Sequence, residues 1–377
     1  MRYAFHSMVF GMYLAVTATG ALAGPILTVG ASGADYTTLS AAVQFADTHT
    51  GASYTIEIAP GIYVNDFSVV TAPMTIKAAP GGPVVLDATA SPPNGKAIIT
   101  TSASTTIIGL TFENAAVTPS QGSNGAGIRD QAGTTQLIVE NSIFRNNQDG
   151  ILADADSTDT VSISGSSFIG NGFDAGGGTC PGTGCDHAVY INALNSLLVT
   201  GSVFCGTHVG HDIKSRAATT TITGNQLYDG AADSAINCPA GSTSYAIDLA
   251  NGGDAIISGN QIIQGMNTEN RIMVTYGEEG LPYTDNVLLV SNNSFVGTGV
   301  PNSVGVNDTR CIPVQLRDNT FVDVATPVNP ASCAVYLGHA VPGPSGFLML
   351  LSGLVGYFSL CALGRPRSSQ PWPVTAV

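Results

Sequence analysis

The hexad Val199-Thr200-Gly201-Ser202-Val203-Phe204 recurs along the chain with its chemistry intact: an apolar residue, a polar one, Gly or Asn, Ser or Asn, any residue, then a large apolar one. Copies run from Val139 to Phe144, Ile163 to Phe168, Ile222 to Leu227, Ile257 to Ile262, Val290 to Phe295 and Leu316 to Phe321, and Ile107 to Phe112 is a degenerate first copy. The terminal apolar positions lie 23 to 36 residues apart, so loops of different length enter between copies while the hexad persists. Self-similarity of this kind is the signature of a solenoid.

Each unit also carries a short alternating strand, as in HAVYIN (187–192), HDIKSR (211–216) and YAIDLA (245–250). Period-two alternation sends one set of side chains inward and the other outward, and one rung cannot cover its own apolar face. Stacking covers it. The expected fold class is all-β, a right-handed parallel β-helix. Asn225, Asn260, Asn293 and Asn319 share one position of the unit and are expected to form a buried amide ladder along the stack. A leucine-rich repeat is the competitor, but no unit has the helix or the Leu spacing of that architecture. Ahead of the coils, Thr37 or Thr38 is placed to cap a short helix running to about Asp47. Leu39, Ala42, Val43 and Ala46 would share one side of it and plug the open end of the core.

The stretch GASGADYTTLSAAVQFA (30–46), followed by IEIAPGIY (56–63), resembles the opening of pectin lyase-like right-handed β-helix proteins, and the resemblance extends over roughly residues 29 to 335. It specifies a fold far more tightly than a reaction. Composition agrees with a turn-rich, elongated domain: of 377 residues 45 are Gly and 20 Pro, and only 10% are charged. With 12 Lys and Arg against 26 Asp and Glu, the formal charge of −14 repels nucleic acid and anionic lipid, so no nucleic-acid partner is expected.

Both ends read as addresses. Residues 1–23 carry Arg2, an apolar run from Met8 to Val16 and Ala21-Leu22-Ala23, the pattern of a signal peptide cleaved before Gly24. The β-helix domain is then expected over 24–340 and a sorting or anchor segment over 341–377. In that segment the uncharged stretch 346–364 is long enough to cross a bilayer and is followed by Arg365 and Arg367. Val341-Pro342-Gly343-Pro344, the apolar stretch and the arginines together resemble a PEP-CTERM sorting signal, with Gly343 where that signal carries Glu; a simple tail anchor is the alternative. The resemblance implies the membrane sorting machinery as a partner and an exported, cell-envelope location. Six cysteines fall in the exported body: Cys180, Cys185, Cys205, Cys238, Cys311 and Cys333. Sequential disulfide pairing would staple three local loops, though six cysteines allow 15 connectivities.

Only nine Lys or Arg lie between the terminal segments, and two stand in one strand, HDIKSR. Aligning Val189, Ile213, Ile247 and Ile272 as the inward row sends Asp212, Lys214 and Arg216 outward and assembles a stripe of Asp154, Tyr190, Asn192, Lys214, Arg216 and Asp248. Such a stripe suits an acidic polysaccharide or envelope glycan, possession of the anionic charge being the ligand's part and of Arg and Lys the protein's. Removing the proton alpha to a uronate carboxylate requires charge neutralisation and a base of lowered pKa. Lys214 is the candidate base, with Arg216 beside it to depress its pKa and hold the carboxylate, and His211 a candidate proton shuttle. Asp212, Asp248 and Glu278 are candidate oxygens for Ca²⁺; Tyr190, Asn192 and Asp154 are candidate sugar contacts. The chain is expected to be a monomer acting as a lyase or epimerase, or binding without turnover. The alternative is a non-catalytic matrix or adhesion rod in which the same charges form an exposed ladder.

A hydrolase is the second alternative. GLTFENAA (109–116) and NNQDGIL (146–152) resemble pectinesterase segments, with Asp149 at a catalytic position. NQDG (147–150), GHD (210–212) and RIM (271–273) resemble polygalacturonase motifs in order, lacking the paired Asp and carrying Met273 for Lys. Inverting hydrolysis needs two spaced carboxyl groups. Asp149 is otherwise a turn residue ahead of a strand, and His187 and His211, at equivalent strand positions, are expected to stack.

Overall fold

The computed structural model describes residues 24–172 and 186–338. The segment 1–23, Cys180, Cys185 and the apolar stretch 346–364 lie outside the described residues; among the described ones no helix is long and apolar enough to cross a membrane. Contacts gather the chain up to Val335 into one unit, and the second unit, from Tyr336 onward, is described only to residue 338.

The strands stack in three sheets of 12, 10 and 10 members. After the first coil each sheet takes every third strand of the sequence, so the chain visits all three sheets in turn before rising one rung. Every named strand pairing is parallel. The chain is a parallel β-helix.

The repeated hexad is the corner that carries the chain from the first sheet into the second. Val199 lies one residue before the end of its strand in the first sheet and Phe204 lies in the second, both fully buried. The third hexad residue takes positive φ in each copy: Gly109, Asn141, Gly165, Gly201, Gly224, Gly259, Asn292 and Asp318 lie between 50° and 71°. Gly adopts that conformation without a Cβ penalty, and Asn and Asp tolerate it better than other residues. The fourth residue then points into the corner. Asn260 Oδ1 accepts from the Asn225 backbone N–H (2.9 Å) and from Asn225 Nδ2 (3.0 Å), and Asn293 and Asn319 repeat the pattern above it. Below Asn225, serines continue the line: Ser202 N–H donates to Asn225 Oδ1, Ser166 N–H to Ser202 Oγ and Ser142 N–H to Ser166 Oγ. The sixth residue fills the core. Phe112, Phe144, Phe168 and Phe204 stack with ring centroids 4.9, 4.8 and 4.7 Å apart, the rung spacing of a β-sheet.

The helix spans Leu39–Thr48, with Thr38 Oγ1 accepting from Ala41 N–H, and buries Leu39, Ala42, Val43 and Ala46. Asp66, from a later strand connection, adds a second cap by accepting from Leu39 and Ser40 N–H (2.5 and 2.9 Å). One register differs from expectation. Val189, Ile213 and Ile247 do form one inward row, but its next member is Val274, and Ile272 instead pairs with Val304. A shift of two residues leaves every side chain on its own face, so alternation cannot detect it. Cys311 and Cys333 form a disulfide, whereas Cys205 and Cys238 are free, buried thiols.

The ladder sets a graded mutational response. Asn260→Ala leaves two buried Asn225 donors without their acceptor and is expected to cost about 3 kcal/mol. Asn319→Ala, at the half-buried end of the line, should cost about 1 kcal/mol. Denaturant unfolding of the two variants would contradict the ladder if their losses were equal.

Candidate functional site

On the outer face of the third sheet, register places Arg129, Leu152, Tyr190, Lys214, Asp248 and Thr275 in one column, rung above rung. Asp154, Asn192, Arg216 and Ala250 follow two residues later in their respective strands. Ala250 has only a methyl group, too short to fill the place above Arg216. Glu279 enters there, its N–H donating to Ala250 O (2.9 Å) from the turn after the strand Ile272–Tyr276. Its carboxylate is held on both oxygens: Arg216 Nε reaches Oε2 at 2.6 Å, Arg216 Nη2 reaches Oε1 at 2.7 Å, and Lys214 Nζ reaches Oε1 at 2.9 Å. Lys214 Nζ also lies 3.3 Å from Asp248 Oδ2. The Arg216 guanidinium sits over the Tyr190 ring, 5.0 Å from its centroid.

A strap continues from this turn. Tyr283 donates to Arg216 O (2.5 Å), Asn286 Nδ2 to Tyr283 O, and Asn286 Oδ1 accepts from Gly253 N–H. Beside the cations, His187, His211 and Tyr245 stack with centroid separations of 4.7 and 4.9 Å, and His211 Nε2 is 3.4 Å from Asp248 Oδ2.

This geometry sets the protonation states. Burial pushes Lys214 down, but Asp248 and Glu279 outweigh it and its pKa is raised, so Lys214 is a fixed cation at neutral pH. The lowered pKa expected from Arg216 does not arise, because Glu279 stands between the two cations and neutralises their repulsion. A lysine held protonated cannot accept a proton. Hydrogen bonding from Arg216, with help from Lys214, lowers Glu279 to about 2. Asp248 is pushed up to about 6 by burial against the pull of Lys214. His211 falls to about 3, by burial first and the Lys214 charge next, and is neutral.

Several expected site residues lie elsewhere. Asp212 does not reach solvent: it is fully buried, accepts from Thr207 Oγ1 (2.6 Å), and burial lifts its carboxyl to about 8. The whole run from His211 to Ser215 is buried, so burial does not alternate along this strand. Glu278 takes the Tyr245 hydroxyl (3.3 Å), while its neighbour Glu279 meets the cations. Asp212, Asp248 and Glu278 therefore do not gather as Ca²⁺ ligands, and among the described residues no three His, Cys, Asp or Glu side chains form a metal-holding group. Asp154 pairs with Arg129, and Asn192 Oδ1 accepts from Ala193 N–H. Asp149 opens a strand rather than a turn; it is fully buried and accepts from His187 N–H at 2.7 Å. Burial and the Asp186 charge hold its carboxyl well above the ordinary range.

No protein-family model matches the chain, and no curated protein does. Among solved structures it is similar to ORF18 of Geobacillus virus E2, with 12% identity and a TM-score of 0.40 over 83% of this chain. The match spans 62% of that structure's length. A likeness this loose assigns no role to any residue.

Away from the stripe, Thr89, Ser91, Asn114, Asn146 and His208 help line a groove of about 540 Å³ whose lining, among the described residues, carries no Asp, Glu, Lys or Arg.

The buried carboxyls fix the sign of the pH dependence. Burial and the adjacent Asp159 raise Asp130 to about 8, and Asp212 and Asp248 are raised to about 8 and 6, from a model-peptide value of 3.8. Their contribution is complete below about pH 4 and is lost as pH rises through 6 and then 8. Glu279 acts oppositely, its contribution disappearing as pH falls from 4.5 toward 2, and solvent screening reduces it. The thermal midpoint should therefore rise as pH drops from 8 to 6.5, above the range in which the buried, neutral His187 and His211 begin to oppose the trend, and Asp212→Asn should flatten that slope. A midpoint indifferent to pH over this range, or a variant with the parent slope, contradicts the assignment.

Proposed function

We propose that this chain is an exported, right-handed, pectin lyase-like β-helix that binds an acidic polysaccharide along the outer face of its third sheet, without cleaving it. The observation that carries this reading is the convergence of Lys214 and Arg216, two of nine cationic side chains in the body, beside the Tyr190 ring on an otherwise acidic protein. Arg presents a planar fork that matches a carboxylate, and an aromatic ring offers the apolar face of a sugar a surface on which to lie. Neighbouring rungs repeat at about 4.8 Å, so a polymer lying along the stack meets Arg129, Tyr190, Arg216 and Tyr245 in succession.

Turnover is not part of this reading: Asp248 and Glu279 raise the Lys214 pKa, which disfavours it as the base of an elimination. Ca²⁺ is not part of it either, since Asp212, Asp248 and Glu278 form no metal-holding group among the described residues. The export and tail signals read from the two ends support a cell-envelope location, with the sorting machinery as the membrane partner that the tail resemblance implies.

A second reading is a scaffold rod that binds no glycan. It is favoured by the pairing of both cations with Glu279 and Asp248, which leaves no net positive charge in the cluster.

Calorimetric titration of the body with polygalacturonate separates these. The expected result is saturable binding that weakens with added salt and falls about tenfold or more in Arg216→Ala, with no growth of unsaturated-uronate absorbance. A flat titration favours the scaffold, and a rising absorbance restores the lyase.

A further inference from the structure

We infer that the Glu279 carboxylate occupies a built-in carboxylate-binding subsite, so that the strand ends at Lys214 and Arg216 form the receptor for the carboxylate of a uronic acid unit and Glu279 is its internal competitor. This inference rests on the acidic-glycan reading and deepens it by naming the group recognised.

Two features support it. First, the receptor is complete on the protein side: a two-point fork from Arg216 and a third donor from Lys214 converge on one carboxylate at 2.6 to 2.9 Å. Arg216 is oriented by the Tyr190 ring below it, and its own backbone oxygen is tied to Tyr283. Second, Glu279 reaches this position from outside the column. It does not belong to the strand segment that supplies both cations, arrives over Ala250, and has a side chain 39% exposed, whereas the Lys214 side chain is 11% exposed. The turn that carries it is bounded by Gly277 and Gly280, both at positive φ, and a Cβ built on Gly280 would meet nothing within 4 Å. Withdrawing the Glu279 side chain into solvent therefore uncovers the cations without disturbing a packed strand.

The exchange of one carboxylate for another also fits the charge balance. With Glu279 in place, Lys214 and Arg216 face Glu279 and Asp248; an incoming uronate replaces Glu279 one for one and leaves the balance unchanged. Neutral sugars and methyl-esterified uronates bring no such replacement, so the subsite selects for free acid. The Glu279 carboxylate lies at about 2 in pKa, so the competitor stays charged through the physiological range and is displaced only by a ligand with additional contacts.

The test removes the competitor. The probes are millimolar galacturonic acid and its methyl ester, followed by the thermal midpoint of the full chain, and trigalacturonate, followed by calorimetry. In Glu279→Ala, galacturonic acid is expected to raise the midpoint while the ester does not, and trigalacturonate is expected to bind about tenfold or more tightly than to the parent chain. Adding Arg216→Ala to Glu279→Ala should abolish both effects. If Glu279→Ala does not fold, Glu279→Gln keeps the shape without the charge and should show the same acid-over-ester preference. Equal response to acid and ester, or no response in the soluble variant, overturns the inference. The reading of function fails separately: a parent chain that binds no acidic polymer while Glu279→Ala binds trigalacturonate leaves the subsite standing and removes the polysaccharide. A parent chain that binds the polymer no less tightly than Glu279→Ala keeps the polysaccharide and removes Glu279 as competitor.

Discussion

Everything on the surface of this protein depends on the hydrogen bonding of one buried corner. A parallel coil must turn sharply between its first two sheets, and the turn takes backbone N–H groups out of water. The amide of Asn260 answers this on both sides, accepting from the rung below through Oδ1 and donating Nδ2 to Ile222 O (2.9 Å). Because each amide satisfies its neighbour as well as its own turn, the rungs are locked in register. Serines do the same with shorter reach where the line runs into the earlier coils. The stacked phenylalanines beside this corner fill the core, but packing alone would tolerate small slides that the ladder does not.

Register in turn creates the chemistry. Lys214 and Asp248 are 34 positions apart in sequence but directly paired across adjacent strands, and Tyr190 lies one rung below. Five of the nine cations in the body are paired with carboxylates: Arg129 with Asp154, Arg145 with Glu113, Lys77 with Glu57, and Lys214 and Arg216 with Glu279. The acidic surplus has a different fate. Asp130, Asp149, Asp212 and Asp229 sit inside with carboxyls raised by burial, and they behave more as protonated hydrogen-bonding groups than as charges. The formal charge of −14 therefore overstates the negative field at the stripe.

The parts of the fold that repeat were legible in the residues. The hexad, the Asn225–Asn319 ladder and the capping helix from Leu39 all follow from short-range chemistry, since turn geometry, amide reach and helical periodicity act within a few residues. The site was legible only in part. Lys214, Arg216, Tyr190 and Asp248 share a face because strands alternate, and period-two counting finds that. Asp212 escaped because the whole run from His211 to Ser215 is buried, so period-two counting does not tell which of its polar residues meets solvent. Glu279 escaped because nothing near it in sequence marks it: it lies 63 residues from Arg216, on a turn, and the adjacent Glu278 looks equivalent. The one available signal was the pair of glycines at 277 and 280, which announce a tight turn at the end of a strand facing the cations.

The amino-acid sequence alone determined that the chain coils, where each coil turns, which residues line the core and which strand carries the concentrated positive charge, because those properties arise from local periodicity repeated many times. The tertiary structure decided whether that charge is free or paired, which of two neighbouring glutamates meets it, and that Lys214 is a cation rather than a base. Ionisation depends on distance and dielectric, which reach across rungs and through burial, and neither is written in the spacing of residues along the chain.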